Sequence, residues 1–183
     1  MKTRRIGPFE VAPLGLGCMN LSHGYGTPPP EEAAQALLRG ALDLGIAFFD
    51  TAALYGFGAN EELIGRTLAA DRSKFLLASK CGLHGVDGKR VVDGRPETLK
   101  WSCEQSLKRL RTDHIDLLYL HRWDRNVPIE DSVGALGDLV RAFQRLGEGV
   151  AGQAVGQAVG FRQRLLQRVE GVHHGHRAER LFV

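Results

Sequence analysis

No apolar run in these 183 residues approaches the roughly 20 positions that a membrane-spanning helix requires. The N-terminus offers Arg4 and Arg5, but the segment IGPFEVAPLGLG that follows is interrupted by Gly, Pro and Glu and has no signal-peptide core. Cysteine is scarce. Cys18, Cys81 and Cys103 are odd in number, widely spaced and without a CxxC pair. That argues against a disulfide framework and fits reduced thiols in a cytoplasmic setting. Excess charge is missing from the body of the chain. The formal net charge is +3, and residues 161–183 account for all of it with Arg162, Arg164, Arg168, Arg177 and Arg180 against Glu170 and Glu179. Residues 1–160 are therefore balanced and make no electrostatic case for a nucleic-acid partner. The expectation is a cytoplasmic protein with neither a membrane nor a nucleic acid as partner.

What is present is a regular alternation. The length suits one well-filled core and is short for two domains. After a short segment that reads as a hairpin (residues 2–11), PLGLGCM is a small strand candidate. PPPEEAAQALLRGALDLG predicts a helix, with prolines and two glutamates at its start, Ala34, Leu37, Leu38, Ala41 and Leu44 on one face and Gly45 at its stop. IAFFD predicts a buried strand, NEELIGRTLAA a second helix and KFLLASK a strand, followed by the Gly-rich excursion CGLHGVDGKRVVDG. RPETLKWSCEQSLKRLRTD predicts a long helix with Leu99, Cys103, Ser106, Leu107 and Leu110 inward. IDLLYLH reads as a strand, and IEDSVGALGDLVRAF as a fourth helix with Leu136, Val140 and Phe143 in register. Alternating strands and helices imply βαβ units and a parallel sheet, and the uninterrupted apolar strands imply a sheet covered on both faces. Four βα units suit either a small open sheet or the first half of a barrel of eight such units, which takes about 250 residues.

Three successive strands end in a titratable group: Asp50 after IAFF, Lys80 after FLLAS and His121 after IDLLYL. In parallel α/β architectures the carboxyl ends of the strands form one rim, where ligands bind. Any one of these residues alone reads as an ordinary polar loop start. Three in consecutive strands, with Tyr55 on the loop after Asp50, read as a site. A neighbouring ammonium stabilises a phenolate, so Lys80 would activate Tyr55 as a proton donor, and Asp50 would keep Lys80 charged. His121 would orient a substrate oxygen. No serine or cysteine stands in a nucleophile elbow, and no carboxylate pair suits glycoside hydrolysis. Schiff-base chemistry at Lys80 would leave Asp50, Tyr55 and His121 without a shared role.

The segments GLGCMNLSHGYG, GIAFFDTAALYGFGANEELIGRTL, FLLASKCG and SCEQSLKRLRTDHIDLLYLHRWD resemble the aldo-keto reductases, from about residue 5 to 142. The resemblance implies a (β/α)8 TIM-type barrel, here truncated to about its first four βα units, and NADPH-dependent reduction of aldehydes or ketones to alcohols. It implies a catalytic tetrad of Asp50, Tyr55, Lys80 and His121, with Tyr55 protonating the carbonyl oxygen. Asp50 and Met19 would border the cofactor, and Met19 and Trp123 would line the substrate pocket.

The resemblance stops near Phe143. The later units of the family supply a Ser–Asn pair, a Gln and an aromatic residue for the nicotinamide and basic residues for the adenosine phosphate, and none of these can be placed here. The expected division is therefore residues 1–143 as half of a barrel and residues 144–183 as a divergent Gly/Ala/Arg-rich tail. A second reading of the chain is a non-catalytic barrel fragment that acts by association, as a homodimer through its open sheet edge. His173, His174 and His176 in HHGH have no second ligand cluster, so no metal is expected.

Overall fold

The computed structural model describes residues 3–22, 24 and 26–147. Among these, residues 3–136 form one compact unit and residues 137–147 belong to a second. The first opens with an antiparallel hairpin of β1 (Arg4–Ile6) and β2 (Phe9–Val11). Then come β3 (Leu16–Gly17), α1 (Glu31–Asp43), β4 (Phe48–Asp50), α2 (Ala59–Leu68) and β5 (Leu76–Cys81). A second hairpin, β6 (Leu83–Val86) and β7 (Lys89–Val92), precedes α3 (Pro96–Leu110), β8 (Leu117–Leu120) and α4 (Ile129–Gly147).

The central sheet is parallel throughout, in the order β3-β4-β5-β8, with helices as the crossovers. Its register aligns Gly17 with Asp50, Asp50 with Ala78, and Lys80 with Tyr119. The order follows the chain, as the predicted succession of βα units requires. The main core packs Leu38 of α1, Phe49 of β4, Leu77 of β5, Ile64 and Leu68 of α2 and Leu110 of α3, each at most 2% exposed. Phe49 meets Phe75 edge to face, with ring centroids 5.2 Å apart.

Two close approaches hold this layer together. A Cβ on Gly65 would stand 2.3 Å from the carbonyl oxygen of Arg109, so α2 and α3 cross at a distance that only glycine permits. At the end where the strands begin, Asp116 accepts from Arg72 Nη2 (2.5 Å) and from the Leu77 amide (2.8 Å). Arg72 also donates to the Phe75 carbonyl at 2.9 Å. The partners are only 12% and 11% exposed, and removing one member of such a pair costs about 3–5 kcal/mol. It fastens the entry of β8 to the entry of β5.

The structure departs from the predicted elements in several places. The strand in PLGLGCM shrinks to two residues, because the chain turns at Met19–Leu21. The Gly-rich excursion is the β6–β7 hairpin, its Asp87–Gly88 turn taking positive φ at both residues. Leu37 and Leu44, expected inside, are 46% and 78% exposed, while on α3 Ser102 is buried and Leu107 only half-buried. The expected burial of both sheet faces holds for β5 and fails for β8, where Tyr119 is 40% exposed and the leucines are half-buried. Among the described residues β8 pairs only with β5, so its outer edge carries no strand.

Helix α4 continues to Gly147, past the Phe143 at which its pattern was expected to end. The remainder of the 144–183 segment, with its HHGH run, lies outside the described residues. Among the described residues no helix is long and apolar enough to cross a membrane, and no group of three or more metal-ligating side chains occurs.

Candidate active site

Asp50 is the last residue of β4, Lys80 the penultimate residue of β5, and His121 directly follows β8. All three therefore stand at the carboxyl end of the parallel sheet. Tyr55 opens a tight turn (Tyr55–Gly58) between β4 and α2. Gly56 and Phe57 in that turn both have positive φ, and Gly58 has a φ of +100°. A Cβ on Gly58 would also stand 2.8 Å from Cδ of Arg109. Gly56 and Gly58 thus give the turn a shape that a side chain at either position would strain.

The four side chains meet. The ammonium of Lys80 donates to Asp50 Oδ1 at 2.5 Å, to the Thr51 carbonyl at 2.8 Å and to the Tyr55 hydroxyl at 3.2 Å. A lysine has three N–H groups, so all three are used. Its nitrogen also lies 4.8 Å from the centre of the Tyr55 ring. The Tyr55 and His121 rings meet edge to face at 5.9 Å. Because the Tyr55 oxygen accepts from Lys80, its own proton is directed away from the ammonium.

His121 is held as a neutral ring. Its pKa is pushed down to about 4, first by burial and then by the positive charges of Lys80 and Arg122. Its Nδ1 is buried and has no hydrogen-bond partner among the described residues. Tyr119, opposite Lys80 in the ladder, has its phenol pushed up by burial and by the charge of Asp50. The thiols are inert: burial raises Cys18 and Cys81 to about 12 and Cys103 to about 11.

Met19 lies half-buried in the turn after β3, and Trp123 lies in the loop after β8 with its indole N–H on the Val127 carbonyl at 3.1 Å. The structure places both on the rim and brings neither into a hydrogen bond or ring contact with the tetrad. Arg125 stacks over the Trp123 ring at 4.1 Å.

Sequence reasoning missed the groups behind the tetrad. Glu61 is fully buried, accepting from Ser79 Oγ (2.6 Å) and from Arg109 Nε (2.8 Å). Asn60, also fully buried, joins Thr51 to the turn after β3. Asp124 receives the Gly94 amide at 3.2 Å, and Ser132 donates to the Gly94 carbonyl at 2.7 Å, which fixes the loop bearing Trp123. The available signal was the Asn60–Glu61 pair, two polar residues in helical register with the apolar Ile64 and Leu68. Two clefts lie elsewhere. One of about 630 Å³ is lined by Arg72, Lys108 and Arg111 where the strands begin, and another of about 390 Å³ by His84, Arg95 and Trp101 beside the β6–β7 hairpin.

With this geometry in place, the relatives can be compared. The model of the Aldo/keto reductase family matches residues 13–151. The chain belongs to the aldo/keto reductase family. A probable aldo-keto reductase 1 from Glycine max is 44% identical over 135 residues, which are 72% of this chain and 39% of the relative. The aldo-keto reductase yakc [NADP(+)] of Schizosaccharomyces pombe is 44% identical over 144 residues, 76% of this chain and 42% of the relative. The solved structure of aldo-keto reductase AKR11C1 from Bacillus halodurans in its holo form is 36% identical, with a TM-score of 0.70. It shares 78% of this chain and 47% of its own. The glycerol dehydrogenase AKR11B4 of Gluconobacter oxydans is also 36% identical, with a TM-score of 0.69 over 77% of this chain and 45% of that one. The fold is therefore of the TIM-barrel type found in this family, and the chain spans less than half the length of these curated relatives.

An unfolded histidine titrates near 6.5. Between about pH 6.5 and pH 4 the unfolded chain binds a proton at His121 that the folded chain does not, so stability falls as pH falls through this window. Urea unfolding across this range should give a flatter stability profile for His121→Gln than for the unsubstituted protein. Identical slopes would show that His121 is not held neutral by the fold.

Proposed function

We propose that the tetrad performs the proton-transfer half of an NADPH-dependent reduction of aldehydes or ketones to alcohols. One observation carries this reading: a single ammonium bridges a carboxylate and a phenol on the rim, with a neutral imidazole against the phenol. Tyr55 donates its proton to the carbonyl oxygen. Lys80 stabilises the phenolate left behind, Asp50 holds the Lys80 ammonium in place, and His121 hydrogen-bonds the same oxygen and orients it.

None of these four residues is a reductant, so the donor set fits a cofactor that carries a hydride. NADPH, when bound, supplies that hydride. Asp50 and Met19 would hold its nicotinamide end, and Met19 and Trp123 would flank a small carbonyl substrate. The name of the Schizosaccharomyces pombe relative, which includes NADP(+), supports the choice of cofactor. A cytoplasmic location belongs to this reading, since the three cysteines are unpaired and buried. Residues 1–143 would act as the barrel portion and residues 144–183 as an appended segment.

Tyr55→Phe removes the proton donor and keeps the ring that packs beside Lys80 and His121. Turnover of an aldehyde should fall by about 10²–10⁴-fold, the ordinary worth of a positioned acid, while NADPH affinity stays nearly unchanged. Undiminished turnover in that variant would refute the proton-donor role.

A second reading, action by self-association, rests on the half-exposed β8 edge. A second copy is the occupant this edge suits. A two-fold axis along the strands sets β8 of one copy parallel to β3 of the other, twice, and so completes a ring of about eight strands. Sedimentation velocity should then show a concentration-dependent dimer. A monomer at every concentration would overturn this reading.

A further inference from the structure

Asn60 belongs to the first turn of α2, yet its side chain makes no cap on its own helix. It reaches across three segments. Its Oδ1 accepts from Thr51 Oγ1 at 2.7 Å, and its Nδ2 donates to the Cys18 carbonyl at 2.7 Å and to Ser22 Oγ at 3.1 Å. The amide has no exposed surface. On one side, Thr51 offers its carbonyl to Lys80 at 2.8 Å. On the other, Cys18 and Ser22 bracket the turn that carries Met19, and the Cys18 amide donates to the Asp50 carbonyl at 2.8 Å. One buried amide therefore ties the Met19 turn to the residue that cradles Lys80.

We propose that Asn60 is a positioning residue that sets the Met19 turn against the Asp50–Lys80 pair and so shapes the pocket for the nicotinamide end and the carbonyl substrate. The inference rests on the reductase reading for the identity of those ligands, and on geometry alone for the tie itself. Asn60 touches no reacting atom. Only a side chain with both an acceptor and a two-hydrogen donor satisfies all three partners. Aspartate would set a carboxylate oxygen against the Cys18 carbonyl, and alanine would leave that carbonyl with the Leu21 amide as its donor and take away the acceptor of the buried Thr51 hydroxyl.

The test compares Asn60→Ala with Ser22→Ala, a milder variant that removes only the 3.1 Å contact at a half-buried residue. Hydrogen exchange of the intact chain is followed at the amides of residues 18–22 and of residues 76–81. In Asn60→Ala the first group should exchange about tenfold faster, the loss expected for about one hydrogen bond, while the second is unchanged. Ser22→Ala should shift the same amides by less. For aldehyde reduction with NADPH, KM should rise about tenfold for both ligands while kcat changes little, since the tetrad is intact. A purely structural loss would scale the active fraction and leave KM alone.

Unchanged exchange at residues 18–22 in both variants would overturn the proposal, as would a loosened turn with unaltered KM. If the unsubstituted chain neither binds nor turns over NADPH, the reductase reading fails and with it the proposed pocket. The exchange data then decide separately whether Asn60 holds the turn.

Discussion

The site depends on one largely buried ammonium. Lys80 is 17% exposed at its side chain, too dry for water alone to satisfy its three N–H groups. Its three acceptors all come from a six-residue stretch, Asp50 to Tyr55, that begins at the end of the neighbouring strand. Parallel pairing of β4 with β5 sets Asp50 opposite Ala78, two residues short of Lys80, and the tight turn after Asp50 folds the phenol back over the amine. A shift of one residue in that register would turn Lys80 to the opposite face of the sheet and dissolve the cluster.

The surrounding structure holds this arrangement from behind. Ser79 precedes Lys80 and points to the opposite face, where Glu61 accepts its hydroxyl. Arg109 completes the charge balance of Glu61 and lies against Gly58, where the Tyr55 turn ends. The same ion pair thus contacts both flanks of the Tyr55–Lys80 contact. A buried pair of this kind gains little net stability, and its retention fits a role in specifying geometry. On the front face, the neutral imidazole of His121 leaves Lys80 as the one positive member of the tetrad, set between the Asp50 carboxylate and the Tyr55 phenol.

Much of this was legible in the sequence, for identifiable reasons. Asp50, Lys80 and His121 each interrupt an apolar run at its end, and in a parallel sheet that placement alone puts them on one rim. The helices announced themselves by periodicity, α3 most clearly. The β6–β7 hairpin escaped because its glycines read as a loop, although Asp87–Gly88 is a strong hairpin turn. Asn60 and Glu61 escaped because their partners are distant in sequence, Cys18 and Arg109 among them, and periodicity records only which face a residue occupies. The incomplete cover of β8 was also invisible in its composition. LLYL reads as fully buried, and only the sheet order reveals that among the described residues one side of it has no strand.

A reductase role requires this constellation to receive a nicotinamide cofactor. The most direct measurement is a titration of the purified, size-checked protein with NADPH, followed by the fluorescence of Trp101 and Trp123. Trp123 sits in the rim loop beside His121, while Trp101 lies on α3 next to the β6–β7 hairpin. Saturable binding at roughly micromolar concentration is the predicted result. A folded chain whose fluorescence and calorimetric heat show no binding up to about millimolar NADPH would contradict it, and would leave the tetrad as an inherited geometry without a hydride source.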